Sequence, residues 1–113
     1  MRTLHLLRHA KSSWKDSMLP DHERPLNDRG KRDAPRMGQL LLEEQLLPDF
    51  ILTSSAKRCR KTAEHVIHES GYRGETRITG EMYEADAAKL CDLLAALPDA
   101  CQRVLVIGHN PGL

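Results

Sequence analysis

Two histidines, each placed just after a short apolar run, are the residues of this sequence whose spacing best suggests chemistry. His9 follows an arginine after the run at residues 4–7, and His109 follows a glycine after the run at residues 104–107. If both runs are parallel neighbours in one sheet, their carboxyl ends open into the same crevice, where open α/β sheets bind ligands. We therefore expect His9 and His109 to face one substrate.

Short apolar runs alternate along the chain with longer segments of helical periodicity. The predicted strands lie at residues 4–7, 49–53, 77–79 and 103–107, with a helix expected in each interval. This alternation indicates βαβ units around a mostly parallel sheet that helices cover on both faces. The predicted fold class is α/β, a three-layer α/β/α arrangement, and we expect residues 1–113 to form a single domain.

The first helix has two possible starting points. Asn27 or Asp28 is a suitable N-cap for a helix with an apolar face that includes Leu41. Pro35 leaves the matter open, because it either kinks this helix or marks a later start near Asp33.

The second and third helices have clearer end signals. Ser54 or Ser55 is predicted to cap the second helix, and Gly71 to end it. Asp86 is predicted to cap the third. Cys59 and Cys91 fall on apolar helix faces and are predicted to be core residues.

A polar stretch without periodicity, residues 11–30, comes directly after His9. Long loops in compact domains are usually functional, so we expect this segment to act as a flap over the site. Trp14 is predicted to anchor the flap rather than to contact a protein substrate. Lys11, Ser12 and Ser13 are consistent with phosphate donors and equally with a soluble loop.

Composition excludes several classes of partner. The net charge is +1, with 17 Lys and Arg against 16 Asp and Glu, so no global field favours nucleic acid or an acidic membrane. No apolar run approaches the roughly 20 residues of a membrane span, and the N-terminus lacks a signal-peptide core. Three cysteines without CxxC spacing indicate neither a disulfide framework nor a zinc knuckle. We expect a soluble cytoplasmic protein.

The chain ends soon after its last predicted strand, before any helix that would cover it. We therefore expect a domain that is incomplete at its C-terminus. The strand at residues 104–107 is expected to expose apolar surface unless another element covers it.

Four motifs lie in order along the chain: Leu6-Leu7-Arg8-His9-Ala10, Thr53-Ser54-Ser55-Ala56-Lys57-Arg58-Cys59-Arg60-Lys61-Thr62, Glu81-Met82-Tyr83-Glu84 and Val106-Ile107-Gly108-His109-Asn110. They resemble the motifs of the histidine phosphatase superfamily, which is phosphoglycerate mutase-like in fold. The similarity is strongest to its small SixA-type phosphohistidine phosphatase branch and extends over nearly the whole chain. Two residues depart from the family pattern: Ala10 replaces a glycine, and Ser55 stands where a proline is common.

The resemblance implies a phosphatase in which a neutral His9 attacks phosphorus and is released by water. It also implies a phosphate pocket made by Arg8, Arg58 and His109. Fixed cations meet the main requirement of phosphoryl transfer, because negative charge spreads over the equatorial oxygens. An early position in a helix adds free N–H groups around Arg58. The implied chemistry needs no metal and no cofactor.

Protonation of the leaving group is the least defined step. Glu84 matches the acid position of related mutases and phosphatases, with Glu81 in reserve. The SixA-type branch can lack an acid here, and Glu84 is equally consistent with a solvated carboxylate. A P–N bond to histidine needs less acid help than an alkyl phosphate ester.

Several alternatives stay open. His65 and His68 have the spacing of a metal pair, but no third ligand completes a site and surface histidines are favoured. A phosphate-recognising binding module on the same fold is the alternative to an enzyme, although such a module needs no nucleophile. The expected partner is a phosphorylated protein, such as a phosphohistidine carrier, or a small phosphoester; a mutase is less favoured in a short chain. The substrate and the oligomeric state are not readable.

Overall fold

The computed structural model describes residues 2–109, which form one parallel sheet with helices on both faces. The strand order is β1-β4-β2-β3, and all three neighbouring pairs are parallel. This arrangement confirms the predicted α/β class. The elements are β1 (Thr3–Arg8), α1 (Asp28–Glu43), β2 (Phe50–Ser54), α2 (Lys57–Ser70), β3 (Glu75–Thr79), α3 (Ala87–Ala95) and β4 (Arg103–Gly108), with single 3-10 turns at Asp21–Glu23 and Gly80–Met82.

The two central strands send alternate side chains into two separate apolar cores. On one face, Ile51 and Leu105 pack with Cys59, Ala63 and Val66 of α2, and Leu41 of α1 completes this layer. On the other face, side chains of β2 and β4 pack around α3. This second core contains Phe50, Leu52, Met82, Leu90, Leu97, Cys101, Val104 and Val106. Burial on both faces explains why β2 reads as a continuous apolar run rather than an alternating one.

Helix α1 starts where the cap residue predicted it. The Asn27 side chain accepts a hydrogen bond from the Gly30 amide at 2.8 Å, which satisfies one of the free donors of the first turn. The helix continues through Pro35 to Glu43, so the later start near Asp33 is wrong. Gly30 is required here, because a Cβ at this position would lie 2.1 Å from the Lys11 carbonyl oxygen. This close approach ties the start of the loop to α1.

Helix α2 starts later than predicted. Its N-cap is Ala56, without a side-chain hydrogen bond, so the assignment of Ser54 or Ser55 as the cap is wrong. The Ser54 hydroxyl is turned to other partners, as described below. The end of α2 is as predicted, with Gly71 at φ 74°, a left-handed conformation that glycine adopts without strain. The predicted cap of α3 is also confirmed, since the Asp86 carboxylate accepts from the Lys89 amide at 2.8 Å.

Two burial predictions are wrong. Cys91 is exposed, whereas Cys59 is buried as expected. Strand β4 is buried from Val104 to Gly108, because α2 and α3 cover its two faces. In the sheet, exposed apolar side chains lie instead on the two edge strands, where Leu4 and Leu6 of β1 are 40% and 51% exposed and Ile78 of β3 is 55% exposed.

Among residues 2–109, the helices all fall short of the length and apolarity that a bilayer crossing requires.

Candidate active site

The pairing of β1 with β4 brings the two predicted histidines together. Arg8 stands opposite Gly108 in the parallel register, and the His9 amide donates to the Gly108 carbonyl at 3.0 Å. The imidazole centroids of His9 and His109 are 5.3 Å apart, with the rings tilted by 59°. The two histidines therefore share one crevice at the carboxyl end of the sheet, as predicted.

Arg58, the second residue of α2, joins these histidines. Its guanidinium Nε–H donates to Nε2 of His9 at 3.3 Å, and its Nη2 group donates to Nδ1 of His109 at 3.4 Å. The Arg58 residue is only 5% exposed, so its charge acts in a partly desolvated setting. Arg58, His9 and His109 thus form one contiguous group of side chains.

Hydrogen-bond partners fix the tautomer of each ring. Nδ1 of His9 lies 2.7 Å from the Ala10 carbonyl oxygen, which can only accept, so Nδ1 carries the proton. Nε2 of His9 therefore holds a lone pair and faces Arg58. In His109, Nδ1 accepts from Arg58, so Nε2 carries the proton and donates to the Ser54 hydroxyl at 2.8 Å.

Both rings are held neutral by their surroundings. Burial lowers the pKa of His9 below its usual value of 6.5, and the nearby charges of Arg58, Arg8 and Arg24 lower it further, while the bond to Ala10 opposes them. Burial, followed by Arg58, lowers the pKa of His109 to about 4. A neutral imidazole at His9 is the form that can act as a nucleophile near pH 7.

On the side of the ring away from Arg58, His109 contacts two residues that the sequence analysis did not assign to the site. Besides Ser54, the Sγ of Cys59 lies 3.4 Å from Nε2 of His109. Burial raises the pKa of the Cys59 thiol to about 12, so it is an uncharged packing group here rather than a second nucleophile.

Asp21, in the loop after β1, is a site residue that the sequence did not single out. Its carboxylate accepts from Nη2 of Arg58 at 3.0 Å and from Nε of Arg24 at 3.0 Å, and its carbonyl oxygen accepts from Nη1 of Arg58 at 2.7 Å. The hydroxyl of Tyr83 also donates to this carboxylate. These contacts, Tyr83 first, lower the pKa of Asp21 to about 2, so it is ionised at neutral pH and has no proton to give.

The segment between β1 and α1 lies against the site through Asp21, where the flap was predicted, although the predicted loop ends three residues earlier because residues 28–30 belong to α1. Arg24 is 7% exposed and donates to the Ser12 hydroxyl at 3.0 Å. Its guanidinium carbon lies 3.4 Å from the ring centroid of Trp14. Because Trp14 is 75% exposed, this ring covers Arg24 rather than anchoring the loop in the core.

A small polar cavity opens beside His9. Its volume is about 150 Å³, and the predicted phosphate ligand Arg8 is exposed on its wall. Its lining residues are Arg8, His9, Lys11, Ser12, Trp14 and Arg24. Four cationic or hydroxyl side chains line this cavity together with His9, which makes it a suitable receptor for a phosphoryl group. Of the predicted phosphate ligands, Arg8 lies on its wall, whereas Arg58 and His109 are not among its lining residues.

Among residues 2–109, the predicted acids Glu84 and Glu81 form no hydrogen bond or ion pair with His9 or His109, and their role as the acid stays a prediction. Glu84 is exposed, with a backbone φ of 61°, and Glu81 is exposed and pairs with Lys89 at 3.8 Å. Tyr83, the neighbour of Glu84, contacts the site, since its ring stands edge-on to His109 with 5.7 Å between the ring centroids. The bond to Asp21 raises the pKa of Tyr83, which keeps the phenol protonated.

The two departures from the family pattern have local explanations. The Ala10 amide donates to the Thr62 hydroxyl at 3.0 Å, so the turn after His9 is tied to α2. The Ser55 amide donates to the Thr79 carbonyl at 3.1 Å, a bond that proline could not make. The Ser55 hydroxyl lies 2.8 Å from Nε2 of His22.

The possible metal pair does not gain a third ligand. His68 is exposed and contacts Glu69 at 3.5 Å, while His65 is half-buried. Within the described part of the chain, residues 2–109, no group of three or more His, Cys, Asp or Glu side chains has the arrangement of a metal site. Asn110, the last residue of the fourth motif, lies outside the described residues.

Comparison with known proteins identifies the class to which this fold and site belong. The sequence pattern that defines the histidine phosphatase superfamily (branch 1) matches residues 4–109. The chain belongs to this superfamily.

Sequence relatives lie in bacteria and a plant. An uncharacterized protein of Mycobacterium tuberculosis is 33% identical over 105 residues, which cover 93% of this chain and 63% of that protein. A 2,3-bisphosphoglycerate-dependent phosphoglycerate mutase of Arthrobacter is 44% identical over 67 residues, or 58% of this chain and 27% of the mutase. An uncharacterized chloroplastic protein of Arabidopsis thaliana is 51% identical over 61 residues, or 54% of this chain and 28% of that protein. The chain thus spans between about a quarter and two thirds of these relatives.

Solved structures share the fold and the SixA-type branch. A protein of Agrobacterium tumefaciens assigned as the phosphohistidine phosphatase SixA superposes with a TM-score of 0.91 at 34% identity, covering 99% of this chain and 72% of that one. A SixA assignment from Nakamurella multipartitia gives a TM-score of 0.86 at 34% identity, covering 98% of this chain and 60% of that one. The phosphoglycerate mutase-like fold predicted from the motifs is therefore confirmed, and a phosphatase or mutase type of activity is supported.

Proposed function

We propose that this protein is a metal-independent phosphatase that passes through a phosphohistidine intermediate on His9, and that its substrate is phosphohistidine in another protein or a small phosphoester. The observation that carries the proposal is the unprotonated Nε2 of His9, whose lone pair accepts a hydrogen bond from the Arg58 guanidinium. A cytoplasmic setting suits its unpaired cysteines.

The first step needs a nucleophile and a cradle for charge. Nε2 of His9 attacks phosphorus, a P–N bond forms, and the bond to the leaving group breaks with its electron pair. Arg58 donates to the equatorial oxygens in place of its present bond to His9, and Arg8 and Arg24 add charge from the cavity wall. Water then attacks phosphorus, releases inorganic phosphate and regenerates neutral His9.

Among the described residues, no carboxyl group forms a hydrogen bond or ion pair with His9 or His109, which favours an activated substrate. Glu84 and Glu81 are exposed, and Asp21 is ionised. The phenol of Tyr83, whose ring centroid lies 5.7 Å from that of His109, is protonated, and its bond to Asp21 raises its pKa. A phosphoramidate such as phosphohistidine carries a leaving nitrogen that accepts a proton from solvent more readily than an alkoxide leaves unaided. We therefore place a phosphohistidine protein before an alkyl phosphate ester.

A hydrolysis assay with an aryl phosphate tests the proposed nucleophile. The protein is expected to hydrolyse para-nitrophenyl phosphate in excess chelator, and His9→Ala is expected to lose at least about 1,000-fold in kcat/KM. His68→Ala, which removes an exposed histidine, is the matched control and should keep full activity. Full activity in His9→Ala, or strict dependence on added metal, would overturn the mechanism.

Substrate class is tested by competition between two kinds of phosphate donor. A phosphohistidine carrier domain and a set of phosphosugars are compared by kcat/KM with the same enzyme. The proposal expects the carrier domain to be preferred. A preference for the phosphosugars would assign the site to small phosphoesters instead.

A further inference from the structure

A second and larger cavity lies beside the phosphate pocket and has a different character. Its volume is about 420 Å³, and its lining residues are Pro25, Leu26, Lys31, Lys57, Lys61 and His65. We call this the lysine groove. Its floor is apolar, since Leu26 is only 3% exposed, and its rim carries three ammonium groups.

The charge of the lysine groove is local. The whole chain carries a net charge of +1, yet four of the six lining residues are basic and none is acidic. Lys61 pairs with Glu64 at 3.1 Å on an exposed helix face, where such a pair contributes little and is readily exchanged for another carboxylate. The groove therefore presents a locally positive potential on a chain that is nearly neutral overall.

Two pairs of residues adjacent in sequence link the lysine groove to the site. Arg24 lines the His9 cavity, and the next residue, Pro25, lines the groove. On α2, Arg58 contacts His9, while Lys57 before it and Lys61 one turn later line the groove. A polypeptide with its phosphorylated residue at His9 would need only a few further residues to enter the groove.

We propose that the lysine groove binds a carboxylate-rich segment of the phosphorylated protein on which the enzyme acts. This proposal rests on the proposed function and extends it to the choice of partner. Glu and Asp side chains match both parts of the groove. Their methylene groups can pack on Pro25 and Leu26, and their carboxylates can pair with the lysines of the rim. The groove thereby favours acidic protein partners over free phosphoesters, which are too small to reach it.

Two synthetic peptides with one phosphohistidine provide the test. Four glutamates flank the phosphohistidine in one peptide, and four glutamines in the other. At low ionic strength the wild-type protein is expected to prefer the acidic peptide by about 10-fold in kcat/KM. Two or three exposed ion pairs between glutamate and lysine side chains would give a preference of this size. Added salt should reduce the preference, because exposed charges are screened.

A matched pair of variants assigns the preference to the groove. Lys31→Gln/Lys61→Gln removes two cations of the lysine groove. Arg32→Gln/Arg36→Gln removes two exposed cations of α1 that do not line the groove. Each variant loses one cation that forms an ion pair, Lys61 with Glu64 and Arg36 with Asp33. The first variant should lose the preference while hydrolysing para-nitrophenyl phosphate at the wild-type rate. The second should keep it.

Binding measured without turnover separates this proposal from the proposed function. In the His9→Ala protein, a fluorescent acidic peptide without phosphate is expected to bind, and to lose affinity when Lys31 and Lys61 are also changed to glutamine. Equal kcat/KM for the two peptides, or a preference that survives in Lys31→Gln/Lys61→Gln, would overturn the groove assignment. Loss of aryl phosphatase activity from the wild type would count against the proposed function alone.

Discussion

Arg58 sets the state of both histidines in this site. It donates to His9 and His109 at once, and its charge helps keep the two rings neutral. The guanidinium can do this only because Asp21 holds its other face through one carboxylate oxygen and one carbonyl oxygen. Asp21 is therefore a positioning residue, which acts on the reaction through Arg58.

Replacement of Asp21 tests this role. Asp21→Ala is expected to lower kcat/KM for an aryl phosphate by about 10- to 100-fold, because Arg58 loses an acceptor that fixes its orientation. Asp21→Asn keeps one acceptor oxygen and should recover part of the loss. Steady-state kinetics measures both variants, with Glu23→Ala as a control for an exposed carboxylate of the same turn. Unchanged or increased activity in Asp21→Ala would show that Arg58 is held by other contacts.

The sequence predicted the three residues at the centre of the site but not their supports. His9, Arg58 and His109 lie at the ends of strands or at the start of a helix. The order of these elements along the chain was enough to predict that the three residues meet. Asp21 and Tyr83 lie in segments without periodicity, and their contact depends on how the loop and the turn after β3 meet in space. The local sequence around Asp21 and Tyr83 carries no pattern that predicts their contact, so the sequence analysis did not find either residue.

At the scale of elements, the junction between the loop and α1 holds the site together. Gly30 lets the Lys11 backbone approach the first turn of α1, and the Asn27 amide donates to the Lys11 carbonyl at 2.9 Å. Lys11 comes two residues after His9, so this junction fixes the chain that leaves β1.

A methyl group at Gly30 is expected to displace this junction. Alanine normally stabilises a helix interior relative to glycine by about 0.5–1 kcal/mol, but here its Cβ would meet the Lys11 carbonyl. Gly30→Ala should therefore destabilise the protein by about 1–3 kcal/mol in urea unfolding and should also reduce kcat/KM. Arg29→Ala, at an exposed position of the same turn, is the control and should change neither. A Gly30→Ala protein that is more stable than the wild type would mean that the Lys11 backbone can move away from the new methyl group without loss of free energy of unfolding.

The ends of helices were predictable where one residue determines them locally, either by a side chain that accepts from a free backbone N–H or by a glycine in the left-handed conformation. Asn27, Asp86 and Gly71 act as the sequence indicated, because capping and the left-handed turn are local. The start of α2 was wrong for a tertiary reason. The Ser54 hydroxyl accepts from His109, fifty-five residues away, and from the Ala56 amide, so the cap position passes to Ala56.

At the scale of the whole molecule, the neutral histidines link the site to stability. The folded pKa of His109 is about 4, below the unfolded value of 6.5. As pH falls below 6.5 the unfolded chain takes up a proton that the folded protein refuses until about pH 4, so stability declines over this window. The pKa of His9 is lowered as well, which adds to the decline.

Removal of His109 should weaken this pH dependence. In urea unfolding, the advantage in free energy of the wild type over His109→Gln is expected to shrink between pH 7 and pH 4.5. His68→Gln, at an exposed position, should follow the wild type at each pH. An advantage that stays constant or grows on acidification would contradict a neutral, buried His109.

The most direct measurement is the capture of the phosphorylated enzyme. With a phosphoryl donor, rapid quench in alkali followed by mass spectrometry should find an acid-labile phosphoryl group on His9, formed equally well in chelator and absent from His9→Ala. Turnover without any such adduct, or an adduct on another residue, would contradict the account that the His9 lone pair beside Arg58 is the nucleophile.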